Sequence, residues 1–305
     1  MKYLISTLFL LSSICFADVT SLPGPIINAE WLVENSENVV ILDVRKQTEN
    51  YSNDGHIENA ILIDASNIRV TRTFDGKEIT RVIPNRTAFD NFMEKHGISN
   101  KDVVIITHEG KKPGDIAGSA RLYWQLKVYG HEQVALLDGG NKAWVAALED
   151  LTTNEPKNTI GTFTTTKYNS DILATTNDVK VAIKNLSATL IDTRSLRYHI
   201  GLSTKDYVYA PGHIPTSKNF PYDFLTPIKG KMSFLPISQI KNAFINMGID
   251  PMKPSILYCN SAYECSSVWF VMHEIMGNKK VAIYDGALHE WTMDTNNPMT
   301  TFNGQ

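Results

Sequence analysis

The sequence is short of cysteine, of net charge and of long apolar runs, and each shortage excludes something. Three cysteines stand in 305 residues, at positions 15, 259 and 265. So few cannot build a disulfide scaffold, and stability has to come from packed cores. Net charge is −3, with 29 basic and 32 acidic side chains mixed along the chain. Without a basic block, neither a phosphate backbone nor an anionic membrane is an expected partner. Beyond residue 17 no stretch is long and apolar enough to span a bilayer. The 43% hydrophobic content suffices for two domains of ordinary size.

The first 17 residues differ from the rest: Lys2, an apolar run from Leu4 to Phe16 broken only by small hydroxyls, then Ala17 before Asp18. This pattern predicts a secretory signal peptide over 1–17, cleaved after Ala17, and so a periplasmic or secreted protein with no membrane contact after cleavage. A lipid anchor at Cys15 is the rival reading, disfavoured by the bulky Ile14. Cleavage removes Cys15 and leaves Cys259 and Cys265 in an oxidising compartment, six residues apart, where a bridge between them is conceivable.

Self-comparison shows an internal duplication. Val39–Arg45 matches Ala188–Arg194, and Gly55-His56-Ile57 matches Gly212-His213-Ile214. In the same order, His96-Gly97-Ile98 with Val104–Ile106 matches Met247-Gly248-Ile249 with Ser255–Leu257, and Leu137-Asp138-Gly139 with Trp144 matches Tyr284-Asp285-Gly286 with Trp291. Each half alternates apolar strand candidates with helical patterns, which predicts an α/β fold of two tandem domains, each a mainly parallel sheet flanked by helices. In the first half, strands are expected at 39–42, 61–63, 103–106 and 134–137, and helices at 89–95 and 121–129. The expected domains are 18–150 and 171–305, joined by a Thr- and Asn-rich linker at 151–170 with one strand near 162–168.

The halves differ at one turn. Ile256, Leu257 and Tyr258 form a buried-strand run, and from Ser266 onward Val268, Val271, Met272 and Ile275 recur at helical spacing up to Gly277. Between them Cys259 opens a compact turn, where successive backbone N–H groups and the positive helix end converge and favour thiolate. The matching position in the first half is His108, in a turn four residues longer that carries Lys111 and Lys112. Only the second half can therefore do cysteine chemistry.

These residues resemble the rhodanese family of sulfurtransferases in its tandem two-domain form. The resemblance rests on L-D-V-R with Gly55-His56-Ile57, and on I-D-T-R, G-H-I-P, the cysteine turn and D-G-x-x-x-E-W in the second half. It implies that Cys259 takes a sulfane sulfur from thiosulfate, 3-mercaptopyruvate or a persulfide, and passes it through a Cys259 persulfide to a thiol, a protein thiol included, or to cyanide. No metal and no organic cofactor is implied. A related cysteine phosphatase would need arginine at position 265, which is cysteine here. The alternatives are a non-catalytic rhodanese-like protein-binding module and a thiol redox protein using Cys259 with Cys265.

The expected active-site loop is Cys259 with Asn260, Ser261, Ala262, Tyr263 and Glu264. The resemblance implies donor binding by arginines after the strand, Arg194 and Arg197. Arg194 has a counterpart in Arg45 and so reads as a structural ion pair, which leaves Arg197 as the expected binder, with Tyr198 beside it. Ala262 stands where the family often has glycine, so a differently shaped turn is expected. Glu264 is expected to repel anionic donors and raise the Cys259 pKa, favouring an uncharged persulfide, polysulfide or a protein acceptor over thiosulfate. His56, His213, Asp43 and Asp192 are duplicated across both halves and read as structural, and Trp144 and Trp291 as packing.

Overall fold

The computed structural model describes residues 22–74, 76–157 and 159–302. The leader read at 1–17, with Cys15, lies outside the described residues.

Among the described residues, seven strands belong to the first half: β1 (Ile26–Ile27), β2 (Val40–Arg45), β3 (Ile61–Asp64), β4 (Val70–Phe74), β5 (Lys77–Val82), β6 (Val104–Thr107) and β7 (Val134–Leu137). Five belong to the second: β8 (Leu173–Ala174), β9 (Thr189–Asp192), β10 (Lys218–Asn219), β11 (Ser255–Tyr258) and β12 (Val281–Tyr284). The first sheet runs β1-β7-β6-β2-β3 and the second β8-β12-β11-β9-β10, all parallel. The two sheets thus share one topology. The antiparallel hairpin β4–β5 stands apart from both.

The central strands β6 and β11 are buried along their whole length, as strands covered by helices on both faces must be. In register, Tyr258 pairs with Asp192, and the Thr193 N–H donates to the Tyr258 carbonyl at 3.0 Å. Cys259 is therefore the first residue beyond the carboxyl end of the central strand, where open α/β sheets hold their ligands.

The helix Pro113–Val128 is buried on nearly every face. It begins well before the expected 121 because Pro113, read as part of the long turn, supplies a preset φ at the helix start. Its all-round burial follows from its place between the halves: it packs on the helix Cys265–Trp269, with Tyr123 edge-on to Phe270 at 4.8 Å. One hydrophobic core runs from Leu42, Ile63 and Phe89 through Trp124 to Trp269, Phe270 and Trp291, so the halves share it. Helix Cys265–Trp269 continues as a π-helix over Phe270–Ile275 and ends before Gly277 at φ +79°.

The strand expected near 162–168 does not form. That segment bonds mainly to side chains rather than to a neighbouring strand, through Thr164 N–H to Asn100 Oδ1 at 2.8 Å and Thr165 N–H to Asp90 Oδ1 at 3.0 Å, with Phe163 buried against Phe89. The duplicated histidines hold turns. His56 exchanges backbone bonds with Thr152, as His213 does with Thr300. The indole N–H of Trp144 donates to Asp150 O and that of Trp291 to Pro298 O.

Candidate active site

The cysteine turn closes tightly on its own sulfur. Cys259 is 1% exposed. Burial alone pushes a thiol up, but the Cys265 thiol and the backbone N–H groups of Cys265, Ser261 and Glu264 all donate to the Cys259 sulfur. The donors win, and the Cys259 pKa falls to about 6. At neutral pH the group is mostly thiolate. Glu264 opposes the thiolate, as its Coulomb repulsion with Cys259 shows, but the direct hydrogen bonds to the sulfur outweigh it and the net shift is downward. Burial and the adjacent Cys259 push Cys265 well above the ordinary thiol range, so it stays a protonated donor. Both cysteines are free.

Ala262 takes the conformation expected of glycine, with φ +50°. A left-handed alanine costs about 1–2 kcal/mol, which its surroundings must offset. Its carbonyl accepts from the Arg121 guanidinium at 3.0 Å and the Ser266 hydroxyl at 3.0 Å. Arg121 comes from the first half and also pairs with Asp285 at 2.6 Å. The first half approaches closely here: a Cβ on Gly118 would lie 2.4 Å from the Tyr263 hydroxyl, so only glycine fits. At the loop's other end, Leu288 N–H donates to Cys259 O at 3.2 Å and His289 N–H to Asn260 O at 3.1 Å.

Above the sulfur lies a cavity of about 150 Å³ lined by Cys259, Asn260, Ser261, Tyr263 and Glu264 of the loop, with Lys205 and Tyr207 of the second half and Lys46, Arg69 and Arg81 of the first. Lys46 and Arg69 lie over the Tyr263 ring at 4.0 and 4.7 Å, and Arg81 over Tyr207 at 4.1 Å. Arg69 also donates to Ser261 Oγ at 3.3 Å. Hairpin β4–β5 is seated by His289, whose Nε2 accepts from Thr80 N–H at 3.2 Å while Nδ1–H donates to Tyr207 O at 2.7 Å. Burial and neighbouring Arg69 lower the Lys46 pKa, and burial and Arg121 lower that of Arg69. Glu264 is half-buried. Burial and the negative Cys259 raise its pKa to about 8, with Lys46 and Lys205 opposing them. The cavity therefore carries four cations, Lys46, Arg69, Arg81 and Lys205, against the single carboxyl of Glu264, which is mostly protonated below about pH 8.

Arg194 is buried beneath the loop rather than in the cavity. It pairs with Asp192 at 2.5 Å, donates to Gly212 O at 2.7 Å and reaches Asn260 Oδ1 at 3.5 Å. Arg45 repeats this with Asp43 at 2.7 Å and Gly55 O at 2.8 Å. Arg197 is exposed on the four-residue helix Leu196–His199, donates to Ser203 Oγ at 2.9 Å and is not among the residues lining the cavity. Tyr198 is also absent from the lining and instead lies beneath Lys205. Sequence reasoning missed Lys46, Arg69, Arg81, Lys205 and Tyr207. The one available hint was three arginines between positions 69 and 81, in a segment without a matching strand pair in the second half.

The sequence matches the Rhodanese-like domain twice, over residues 28–147 and 175–294. It is 30% identical over 274 residues to a Saccharopolyspora erythraea protein named "Putative thiosulfate sulfurtransferase", covering 87% of this chain and 92% of that one. It is likewise 30% identical over 280 residues to the "Sulfur carrier protein TtuD" of Thermus thermophilus, covering 88% and 94%. The fold is similar to that of the anaerobic ergothioneine biosynthesis enzyme from Chlorobium limicola, with TM-score 0.78 and 20% identity over 91% of this chain and 70% of that one. With the duplicated topology and two matched domains covering most of its length, the chain belongs to the rhodanese-like family.

Proposed function

We propose that the protein is a sulfurtransferase that carries sulfane sulfur as a Cys259 persulfide. One observation supports this above others: a thiol with a pKa of about 6 lies beneath four cations, Lys46, Arg69, Arg81 and Lys205. With thiosulfate as donor, the Cys259 thiolate attacks the outer sulfur, a new S–S bond forms, and sulfite leaves with the electrons of the broken one. An acceptor thiolate or cyanide then attacks the outer sulfur of the persulfide and the Cys259 thiolate returns. The N–H groups that hold the thiolate also suit the persulfide anion. The cavity of about 150 Å³ restricts the donor to small molecules such as thiosulfate, 3-mercaptopyruvate or a low-molecular-weight persulfide. Two half-reactions at one sulfur give ping-pong kinetics. The apolar run from Leu4 to Phe16 supports a periplasmic or secreted location.

The test is intact mass after incubation with each donor, beside a Cys259→Ala control. A gain of one sulfur atom that is absent in the control and released by cyanide or a thiol is the expected result. No sulfur gain from any donor, with Cys259 free and the protein folded, would overturn the reading in favour of a binding module. Loss of two hydrogens instead would indicate a Cys259–Cys265 disulfide and favour the redox reading, which the contact between the two thiols supports.

A further inference from the structure

The catalytically silent half has a cavity of its own, about 750 Å³ in volume, five times that above Cys259 and within the usual range of small-molecule sites. It has the same construction. Glu109, which follows the His108 that stands opposite Cys259, lines it as Asn260 lines the catalytic cavity. Lys231 reaches it from the second half, as Arg81 reaches the catalytic cavity from the first.

Three features of the lining describe a ligand. Val145, Ala146 and Leu151 form an apolar wall. Asp54 and Glu109 are both engaged by Lys111, at 2.5 and 2.8 Å. Lys142 and Lys231 form no ion pair among the described residues, so the lining itself presents four cations, Arg45, Lys111, Lys142 and Lys231, against Asp54 and Glu109, with Asp43 paired to Arg45 behind the wall and Asp138 acting on Lys231. The third feature is Arg45, which is 2% exposed and whose Nη1 has no hydrogen-bond partner among the described residues. In the catalytic half the matching Arg194 Nη1 reaches Asn260 Oδ1. In the silent half Glu109 Oε1 is taken by Asn50 and Lys111, both at 2.8 Å, and Arg45 Nη1 is left over. A buried guanidinium N–H without an acceptor costs about 1–3 kcal/mol, and an acceptor entering the cavity removes that cost once the side chains covering Arg45 Nη1 shift to admit it.

We propose that this cavity is a second ligand site, which takes a small organic anion with a carboxylate on an apolar body. The carboxylate sits among Lys142, Lys231 and the Arg45 Nη1, and the apolar body lies along Val145, Ala146 and Leu151. The site uses no thiol. Because Lys231 comes from the opposite half, the bound anion touches both halves at once.

The probe is 3-phenylpropionate, with the neutral amide 3-phenylpropionamide as control, titrated by calorimetry and followed by saturation-transfer NMR on the full chain. Saturable binding of the carboxylate is expected, with the amide weaker by about tenfold or more. The paired variant Lys142→Ala with Lys231→Ala, two exposed positions, weakens the carboxylate by about tenfold, and Val145→Trp abolishes its binding. Cys259→Ser and Arg81→Ala leave it unchanged. The proposal is overturned by no saturation up to about 10 mM, which is weaker than any specific site of this kind. It is equally overturned if the amide binds as well as the acid, if the paired lysine variant binds normally, or if Arg81→Ala removes binding. Thermal unfolding monitors the fold of each variant, and the paired lysine variant decides the matter if Val145→Trp does not fold.

Discussion

Asp285 accepts the backbone N–H of Ile83 at 2.7 Å across the boundary between the halves. Its counterpart Asp138 accepts the N–H of Phe234 at 2.9 Å in the reverse direction. Each half thus anchors a segment that the other half extends over it. The catalytic cavity depends on the first of these exchanges, because the segment it holds carries Arg69 and Arg81. The half without a catalytic cysteine thereby contributes much of the positive charge around Cys259.

The first prediction concerns that charge. Arg69→Ala should raise KM for thiosulfate by about tenfold, with a smaller change in kcat, since a cation lost from a half-buried site weakens anion binding, and Arg81→Ala, at an exposed position on the cavity rim, should raise it by less. Arg197→Ala should leave steady-state kinetics near the parent values. A larger effect at Arg197 than at Arg81 would show that the donor binds elsewhere.

The second concerns the thiol pair. Removing one hydrogen bond to a charged sulfur is worth about 1.5–3 kcal/mol, so Cys265→Ala should raise the Cys259 pKa by about one to two units. The pH dependence of alkylation by iodoacetamide reads this directly. An unchanged profile would mean that the backbone N–H groups alone set the thiolate.

The third is a pH profile. The Cys259 thiolate forms as pH rises through about 6, and Glu264 ionises as pH rises through about 8. With an anionic donor, kcat/KM should therefore climb across the first value and decline across the second as the new carboxylate repels the donor. Glu264→Gln should remove the alkaline decline and keep the acid limb. A decline that persists in Glu264→Gln would place its origin in another group.

The fourth links the same group to stability. The folded state raises the Glu264 pKa above its unfolded value and so favours the protonated form. The resulting stability is complete below the unfolded carboxylate pKa and is lost as pH rises toward about 8. Glu264→Gln should accordingly raise the thermal midpoint at pH 8 more than at pH 4. Equal shifts at both pH values would remove this linkage.

The fifth tests the contact between the halves. Gly118→Ala places a methyl group against the Tyr263 hydroxyl, an overpacking that should cost about 1–3 kcal/mol and disturb the active loop. A lower thermal midpoint together with reduced sulfur loading is expected. Loading that is unimpaired while stability falls would mean that the loop does not depend on this contact.

Local pattern was enough to read the duplication, the parallel sheets and the place of Cys259, because each is carried by neighbours along the chain. Buried parallel strands are continuous apolar runs, and a cysteine after such a run emerges at the ligand-binding end of a sheet. Asp43 and Asp192 were legible as structural for a similar reason, being repeated in both halves, whereas Arg194, expected to bind donor by resemblance, is held by Asp192 and Gly212 O beneath the loop. Ala262 went the other way. Its left-handed φ is held by Arg121, 141 residues earlier, and no local rule anticipates so distant a partner.

The cation ring was beyond the sequence on the same ground. Lys46, Arg69 and Arg81 meet Lys205 only when the helix Pro113–Val128 packs on Cys265–Trp269 and hairpin β4–β5 crosses to the second half. Arg197, the nearest arginine along the chain, faces solvent because its short helix turns it there. The fold, its repeat and the place of Cys259 at the end of the central strand were legible along the chain, since these depend on side-chain period and on one strand followed by one turn. The tertiary structure decided the charge around the sulfur and the balance of its pKa, since both arise between groups that are far apart in the chain and adjacent in space.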